Sequence, residues 1–472
     1  MGTRSTSCVG ILVLGATLAG CAERLTVPNF QNPTVASIAA DPVAAIPLLA
    51  TGVLRNDRGI LPAYVLGVGI LGREAYNFGT TADLLVGWLT SDVNNATTAG
   101  GGGQALWAGP YATVRGAFMT LEVIDAAGPV FTAPQQNAMK GLLHTEIALS
   151  LLYAANTRHT LGITVDVYDD PTKLAPFVSR DSAFTYIAAV LNQAQTELAA
   201  GGTSFPFALP SGFAGFTTPA AFAKFNRGLA ARVNAYRASL GAAGCGAARS
   251  AACYQLVLAA LQSSFLDPAG SLTAGVFHVY SAASGDVANS NSNQANPSVV
   301  AHAKADSGIQ KKADGGNDNR FTAKVIKLSS PKVPLYTGVP TNWDYSIYSL
   351  RTDPIAIMRN EEMILLRAEA RYFTGDQSGA LADINLIRTK AGGLDARASF
   401  TNDNDFLDEL LYNRRLSLLF EGHRWVDMRR FGRLGQLTLD LPSHIAVAGL
   451  PLPQLECLER ANVIASLRGP GC

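Results

Sequence analysis

The amino-acid sequence predicts a mainly α-helical protein, in which a helical scaffold carries one loop-rich irregular region with a few short strands. Two observations lead to this prediction. Apolar residues recur every three or four positions over several long stretches, which is the period of one helix face. Between these stretches, residues 267–345 lose that period and are rich in Ser, Asn, Gly and Pro, a composition typical of turns and loops.

The amino half contains four stretches with the helical period, within a part of the chain, residues 61–266, that we predict to be helical. Their apolar stripes run over residues 107–124, 139–151, 184–198 and 222–240. Asp181 or Ser182 is placed to cap the third helix. We expect each helix to bury its stripe on a neighbour, at roughly 1.5–3 kcal/mol per large side chain.

The loop-rich insertion over residues 267–345 contains strong turn signals and two short β-prone pieces. The sequence Gly-Gly-Asn-Asp-Asn at 315–319 favours a turn, and residues 276–280 and 324–328 favour short strands. Long loops on a rigid scaffold are where binding residues collect. We therefore expect the ligand contacts in this region.

Helical order returns near residue 359. A helix over 361–373 is followed by Gly375, which suits the left-handed conformation after a helix end. A second helix is predicted over 377–390 and a third over 403–421. A helix, a tight Gly-Asp turn and another helix form the outline of a tetratricopeptide unit. We therefore expect a tetratricopeptide-like helical-repeat scaffold, with a closing tail over residues 431–472.

The charge balance argues against some partners. The 472-residue chain has 37 Lys+Arg and 36 Asp+Glu residues, a formal net charge of +1. Nucleic acid and anionic lipid surfaces attract proteins with a basic excess, so we expect no nucleic-acid partner. Beyond the amino-terminal leader, no stretch reaches about 18 uninterrupted apolar residues, and the sequence predicts no transmembrane helix.

Residues 1–20 are predicted to be a lipoprotein signal peptide. Arg4 precedes a short apolar run over 9–18, and Leu-Ala-Gly-Cys at 18–21 matches a lipobox. Cleavage there makes Cys21 the acylated lipid anchor, and several acyl chains hold a protein firmly. A plain secretory signal is the alternative. Residues 21–60 are predicted to be the anchor, a tether and a loop leading into the body, which spans 61–472.

Four further cysteines suit an exported protein, because disulfides persist in oxidising compartments. Four cysteines allow three connectivities, and we favour the local pairs Cys245–Cys253 and Cys457–Cys472. The first would close a Gly/Ala loop, and the second would tie down the carboxy terminus. Zinc binding is the alternative, but the sequence has no C-x-x-C pair.

Three segments of the carboxy half resemble, in order and spacing, the conserved helices of SusD/RagB proteins. They are RNEEMILLRAEA at 359–370, DINLIRTKAG at 383–392 and NRRLSLLFEGHRWVDMRR at 413–430. The Leu-Pro-Leu-Pro segment at 450–453 resembles the family's closing segment, although the tail departs from the common pattern by carrying two cysteines. Weaker similarity extends over the amino half. The resemblance is strong over 359–430 and loose elsewhere.

The resemblance implies a lipid-anchored outer-membrane protein that is not an enzyme and needs no cofactor. Family members combine four tetratricopeptide-like helix pairs with an irregular half that carries the ligand site. They bind glycans in most characterised cases and peptides in some, and they lie over a SusC-type TonB-dependent transporter. We therefore expect nutrient-glycan binding and delivery to such a transporter, facing the cell exterior. A peptide-binding uptake lipoprotein and a helical protein–protein scaffold are the alternatives.

The charged residues of the third segment are predicted to be structural. Glu421, Arg424 and Asp427 alternate in sign near a helix end, which suits buried guanidinium–carboxylate pairs. Trp425 is then a core aromatic. Catalysis by Glu421 with His423 and Asp427 lacks support, because the three lie within seven positions and no nucleophile accompanies them.

Loop aromatics beside polar side chains are the candidate ligand contacts. A sugar ring presents an apolar C–H face to an aromatic ring, while its hydroxyl groups need polar partners. One such group lies at the end of the loop-rich insertion and the other lies ahead of the first helical stripe. The candidates are Tyr336, Asn342, Trp343, Tyr345 and Tyr348 in the first group, and Tyr76, Asn77 and Trp88 in the second.

The sequence offers no metal site. Its histidines are scattered, without an H-x-x-x-H or H-E-x-x-H pattern. Asp166, Asp169 and Asp170 lie close together in one loop, but they lack the spacing and the Gly of an EF-hand. Solvated loop acids are favoured there over a calcium site. The glycine run at 100–103 lacks the Lys-Ser/Thr of a phosphate-binding loop.

Overall fold

A run of long helices forms the first part of the scaffold. The computed structural model describes residues 41–79, 88–90, 100–167, 173–242, 244–335 and 339–470. Each helix packs against the next along the chain. The helices are α1 (Pro42–Leu71), α2 (Gly100–Ala126), α3 (Ala133–Arg158), α4 (Arg180–Ala199), α5 (Pro219–Leu240) and α6 (Ala251–Gln262).

Local sequence explains where these helices begin. Thr132 and Gln135 form a reciprocal capping box at the start of α3. The Oγ of Ser179 accepts a hydrogen bond of 3.1 Å from the backbone N–H of Ser182 at the start of α4. The prediction that Asp181 or Ser182 caps this helix is therefore wrong by two or three positions, since both lie inside its first turn.

Helix α1 corrects the predicted tether. Residues 42–60 are helical, whereas the sequence predicted an anchor, tether and loop over 21–60. Asp41 caps α1, accepting a hydrogen bond from the N–H of Ala44, and Pro42 occupies the first turn, where its missing N–H has no cost. Packing of α1 on α2 outweighs the penalty of the internal prolines. Residues 21–40 lie outside the described part of the chain.

Short antiparallel strands lie in the loop-rich insertion, and two more lie outside it, one before α2 and one just after the insertion. They pair as three two-stranded sheets, β1 with β3, β2 with β6, and β4 with β5. A short helix, α7 (Asn319–Lys324), precedes β4. The strands are β1 (Ala75–Asn77), β2 (Gly275–His278), β3 (Val299–Ala301), β4 (Val325–Lys332), β5 (Thr341–Tyr345) and β6 (Ile355–Arg359). The two β-prone pieces thus correspond to β2 and β4.

The carboxy half returns to helices, and α6 packs on α8 to join the two halves. The predicted second helix ends at Ile387, where the chain continues as a π-turn, and the third ends at Ser417. Gly375 has a φ of +92°, as its predicted place after a helix end requires. The helices are α8 (Asn360–Phe373), α9 (Gln377–Ile387), α10 (Asp403–Ser417), α11 (Arg424–Arg430), α12 (Gln454–Glu459) and α13 (Ala465–Arg468).

One large apolar core runs through the body, and a smaller one lies among α8, α9 and α10. In the smaller core the rings of Tyr372 and Phe406 stack with their centroids 3.8 Å apart. The closing tail packs on the scaffold, where Leu450 is buried and its carbonyl accepts from Arg158 at 3.0 Å. The prediction of a mainly α-helical protein is confirmed.

Cys245 and Cys253 form a disulfide, with their Cα atoms 5.6 Å apart. The other favoured pair stays a prediction, because Cys472 lies outside the described residues. Among the described helices, none is long and apolar enough to cross a membrane.

Candidate functional site

The structure brings the β1 residues of one predicted group of ligand residues close to the β5 residues of the other. Strand β1, which carries Tyr76 and Asn77, pairs with β3. The hydroxyl of Thr341, at the start of β5, donates to the carbonyl of Ala301 in β3 over 2.9 Å. Neighbouring strands therefore hold residues that are more than 260 positions apart in the sequence.

Most of the predicted aromatic contacts are buried in this arrangement. Tyr345 is 2% exposed, its ring stacks on Phe420 with centroids 4.6 Å apart, and its hydroxyl donates to the carbonyl of Glu74. Tyr348 is also buried, and its hydroxyl donates to the carbonyl of Phe420 over 3.1 Å. The assignment of Tyr345 and Tyr348 to a ligand surface is corrected, because their rings are parts of the core.

The second group is buried as well. Tyr76 is 3% exposed, and its hydroxyl donates to Asp440 over 2.7 Å. Trp88 is 1% exposed and lies against α1 at Gly67. Asn77 is buried, and its side-chain oxygen accepts from the N–H of Gly79. The assignment of Tyr76, Asn77 and Trp88 to a ligand surface is therefore corrected too. The neighbouring residues 80–87 and 91–99 lie outside the described part of the chain.

Trp343 and Asn342, both on β5, keep exposed surface. The indole of Trp343 is half-buried and meets the ring of Phe321 edge-on at 5.4 Å. Its cross-strand partner on β4 is Lys327, whose ammonium nitrogen lies 5.9 Å from the indole centroid. Asn342, the preceding residue of β5, is exposed. Tyr336, the remaining candidate, lies outside the described residues.

A second lysine flanks this surface. The ammonium of Lys332 donates to the carboxylate of Asp344 over 2.7 Å and to the carbonyl of Pro297 over 3.0 Å. Asp344 is buried, whereas about a third of the Lys332 side chain is exposed. We define the β4–β5 surface by Lys327, Lys332, Asn342, Trp343 and Asp344. It offers an indole for stacking and amide and ammonium groups for hydrogen bonds.

Sequence reasoning missed both lysines of this surface. Lys327 precedes Trp343 by sixteen positions, and only the register of the β4–β5 hairpin makes them neighbours. Of β4, the sequence indicated only the β-prone piece 324–328. No local signal in the sequence paired that piece with the tryptophan.

The carboxy-terminal motif forms a network of buried ion pairs. Arg414 donates to Asp427 over 2.7 Å, and Arg430 donates to Asp427 and, with both terminal nitrogens, to Glu369. Arg359 makes a bidentate contact with Glu421. All these side chains are at most 11% exposed. Charge-assisted pairs in such surroundings satisfy groups that are costly to bury alone.

Trp425 and Arg424 of this motif hold neighbouring backbone in place. The indole N–H of the fully buried Trp425 donates to the carbonyl of Val447 in the closing tail over 2.7 Å. The Nε of Arg424 donates to the carbonyl of Gly72 over 3.2 Å, just after α1 ends. The motif therefore holds the tail and the amino-terminal helix together.

Electrostatics in the motif match this structural arrangement. Burial raises the pKa of Glu362, but the adjacent guanidinium of Arg232, 2.6 Å away, outweighs burial, and the pKa falls to about 2. Burial lowers the pKa of His423 to about 3. His423 lies 3.9 Å from Glu362, while Glu421 and Asp427 pair with arginines. The three residues considered for catalysis thus have separate partners.

The described residues contain no group of three or more His, Cys, Asp and Glu side chains that could hold a metal ion. Asp166 is described, but Asp169 and Asp170 are not. Of the histidines, His278 contacts Asp57 at 2.7 Å and His302 contacts Asp440 at 2.8 Å, in two separate buried pairs.

Part of the chain matches the model of a known family. Residues 329–447 match the model of the SusD family, a range that includes all three resembling segments and the β4–β5 surface except the start of β4. No curated protein matches the chain in sequence. The resemblance to SusD/RagB proteins inferred from the sequence is confirmed.

Solved structures share the fold at low sequence identity. A SusD-like protein from Bacteroides fragilis NCTC 9343 is 14% identical, covers 91% of this chain and 98% of its own, and has a TM-score of 0.65. Surface glycan-binding protein A from Bacteroides fluxus is 17% identical, covers 91% of this chain and 99% of its own, and has a TM-score of 0.62. A SusD-like carbohydrate-binding protein from B. fragilis NCTC 9343 is 12% identical, covers 84% of this chain and 91% of its own, and has a TM-score of 0.60. The chain has the SusD-type fold.

Proposed function

We propose that this chain, which has the SusD-type fold and a SusD-family carboxy region, is a lipid-anchored glycan-binding protein that delivers oligosaccharide to a TonB-dependent transporter. The observation that carries the proposal is the half-buried indole of Trp343, which keeps exposed surface next to its exposed cross-strand neighbour Lys327. Two proteins of the same fold are described as glycan-binding or carbohydrate-binding. The proposal includes no enzymatic step.

The β4–β5 surface suits a sugar for physical reasons. A pyranose ring has an apolar C–H face, and stacking on an indole removes that face from water at about 25 cal/mol per Å². The amide of Asn342 and the ammonium groups of Lys327 and Lys332 are donors for sugar hydroxyl or carboxylate oxygens. Because Phe321 and the hairpin hold the indole in place, little side-chain freedom is lost on binding.

The anchor and the partner complete the proposal. Cys21 would carry the acyl groups, and residues 21–40 would connect it to α1. Ala22 follows the cysteine, and the absence of Asp there is compatible with transfer to the outer membrane. The body would lie on the extracellular face of a SusC-like barrel. Photo-crosslinking in native membranes should then capture a large barrel protein, and repeated capture of none would contradict the delivery role.

Ligand binding can be tested on the chain from Ala22 to Cys472. A microarray of neutral and acidic glycans and a peptide array identify the ligand class, and calorimetry gives the affinity. Trp343→Ala is expected to weaken glycan binding at least tenfold, about 1.4 kcal/mol. Tyr186→Ala, which removes another half-buried ring on α4, is the matched control and should bind like wild type.

The outcomes separate the proposed function from its alternatives. Binding to one glycan class that falls in Trp343→Ala and persists in Tyr186→Ala supports a glycan site on the β4–β5 surface. Binding to peptides alone would replace the glycan by a peptide ligand. Glycan binding that is equal in the two variants would remove the β4–β5 surface from the proposal.

A further inference from the structure

A separate cleft lies between β2, the loop after α6 and the short 3-10 helix Ser211–Phe213. Its volume is about 630 Å³, which is within the usual range for small-ligand pockets. None of its lining residues belongs to the β4–β5 surface. The sequence predicted ligand contacts within residues 267–345, which supply much of this lining, but none of the lining residues was among the named candidates.

The floor of the cleft is aromatic. Phe216 and Phe265 meet edge-to-face with centroids 4.9 Å apart, and Phe277 of β2 lies beside them. Phe265 and Phe277 are half-buried, so part of each ring faces the opening. The rim is polar, with exposed hydroxyl groups from Ser271 and Thr273 whose oxygens lie 3.0 Å apart.

The walls of the cleft are held in place before any ligand arrives. Asn360, which is 1% exposed, donates to the carbonyls of Asp267 and Ser271 over 2.6 and 3.0 Å and accepts from the N–H of Asp267 over 2.9 Å. One buried amide therefore fixes both ends of the loop. Such preorganisation lowers the entropy cost of binding.

Close backbone contact fixes the opposite wall. A Cβ on Gly212 would lie 2.0 Å from the carbonyl oxygen of Phe277, so only glycine lets the 3-10 helix approach β2. A Cβ on Gly275 would lie 2.1 Å from the carbonyl oxygen of Met358 in the paired strand. The distance between the aromatic floor and the rim is thus set by packing of the backbone.

The charge of the cleft differs from that of the β4–β5 surface. Among the described residues that line the cleft, Asp267 is the only charged one, and it is exposed at the rim. Its Oδ1 accepts from the N–H of Ala269 over 3.0 Å. A carboxylate accepts hydrogen bonds from hydroxyl or ammonium groups and repels other anions. The β4–β5 surface has two lysines instead.

We infer that this cleft is a second glycan-binding site, which takes an uncharged or amino-bearing pyranose ring and disfavours acidic sugars. The ring would stack on Phe265 and Phe277, with its hydroxyl groups directed to Asp267, Ser271 and Thr273. The inference rests on the proposed function. The cleft would disfavour acidic sugars because of Asp267. The β4–β5 surface would not, because it carries two ammonium groups.

A plug variant tests this site without removing a packing residue. Ala274 lines the cleft and its side chain is exposed, so Ala274→Trp fills the opening. Ala396→Trp places the same side chain at an exposed loop position away from the cleft and is the matched control. The probes are laminarihexaose, cellohexaose, maltohexaose and xylohexaose, with the galacturonate hexamer as the acidic counterpart, and calorimetry of the full chain in detergent is the measurement.

The expected result is that Ala274→Trp weakens binding of at least one neutral hexasaccharide fivefold or more, or removes one of two sites, while Ala396→Trp does neither. Binding of the acidic hexamer should be the same in Ala274→Trp and in wild type.

Equal binding of all four neutral probes by the two tryptophan variants would overturn the second site. An effect of Trp343→Ala alone would then leave the proposed function intact. An effect of Ala274→Trp alone would support the cleft and count against the β4–β5 surface. Wild type that binds none of the probes would overturn both.

Discussion

The carboxy-terminal motif and the β4–β5 surface both contain charged and aromatic residues, but they bury them to different extents. In the motif, Arg430 and Glu369 are at most 1% exposed and make a bidentate pair. On the β4–β5 surface, Lys327 and Asn342 are exposed and Trp343 is half-buried. The carboxy-terminal motif, which is the most recognisable segment of the sequence, therefore holds the fold together. The β4–β5 surface beside it leaves its side chains available to a ligand.

The largest expected effect is on the buried network. Asp427→Ala leaves the guanidinium of Arg414 without its 2.7 Å partner in a fully buried position. Removing one member of a buried pair costs about 3–5 kcal/mol, so the free energy of unfolding in urea should fall by that amount. Asp408→Ala, at an exposed pair with Arg433, should change it by about 1 kcal/mol or less. Similar losses of unfolding free energy in Asp427→Ala and Asp408→Ala would contradict the difference expected between a buried and an exposed ion pair.

A pH effect is expected at Glu74, which connects the two regions. Burial raises its pKa to about 7, although Arg424 and Arg415 oppose this. Between its ordinary pKa of 4.5 and 7 the folded state holds a proton that the unfolded state has released, so stability should decline as pH rises through this window. Glu74→Gln removes the titration. Its stability relative to wild type should therefore rise from pH 5 to pH 8 in urea denaturation, and a constant difference would refute the burial argument.

A smaller loss is expected at the disulfide. The Cys245–Cys253 bond closes a loop with a sequence separation of eight residues, and the chain-entropy model gives about 2–3 kcal/mol for a loop of this length. The double variant Cys245→Ser/Cys253→Ser should lose that much in chemical denaturation. Because α6, which carries Cys253, packs on α5 and α8, glycan affinity at the β4–β5 surface should stay unchanged. A loss of affinity would mean that this loop shapes the ligand site.

Much of the fold follows from local patterns. Helices α2 to α5 and α8 to α10 repeat apolar residues with the helical period, and Gly375 marks a helix end. Helix α1 escaped prediction, because packing on α2 overrides Pro47 and Pro62 inside it. Strands of three residues, such as β1 and β3, form only because a partner more than 220 positions away is brought to them.

The candidate site could be predicted only in part. The sequence proposed Trp343 and Asn342 as candidate ligand contacts, and it placed Tyr345 and Tyr348 beside them as equals. In the structure the rings of Tyr345, at the end of β5, and Tyr348, in the loop after it, pack against Phe420, whereas Asn342 and Trp343 keep exposed surface. Which face of a short strand is buried depends on the tertiary neighbours, and the sequence of a loop-rich region does not contain that information locally.

Trp343→Ala and Asp427→Ala, compared side by side in glycan affinity and in free energy of unfolding, separate the ligand surface from the buried network. For Trp343→Ala the account predicts an affinity at least tenfold weaker and a stability loss of only about 1–2 kcal/mol, because the indole is half-buried. For Asp427→Ala it predicts the larger stability loss, with near-normal affinity under conditions where the variant is folded. Wild-type affinity in Trp343→Ala, in a protein that binds glycan, would contradict the central claim.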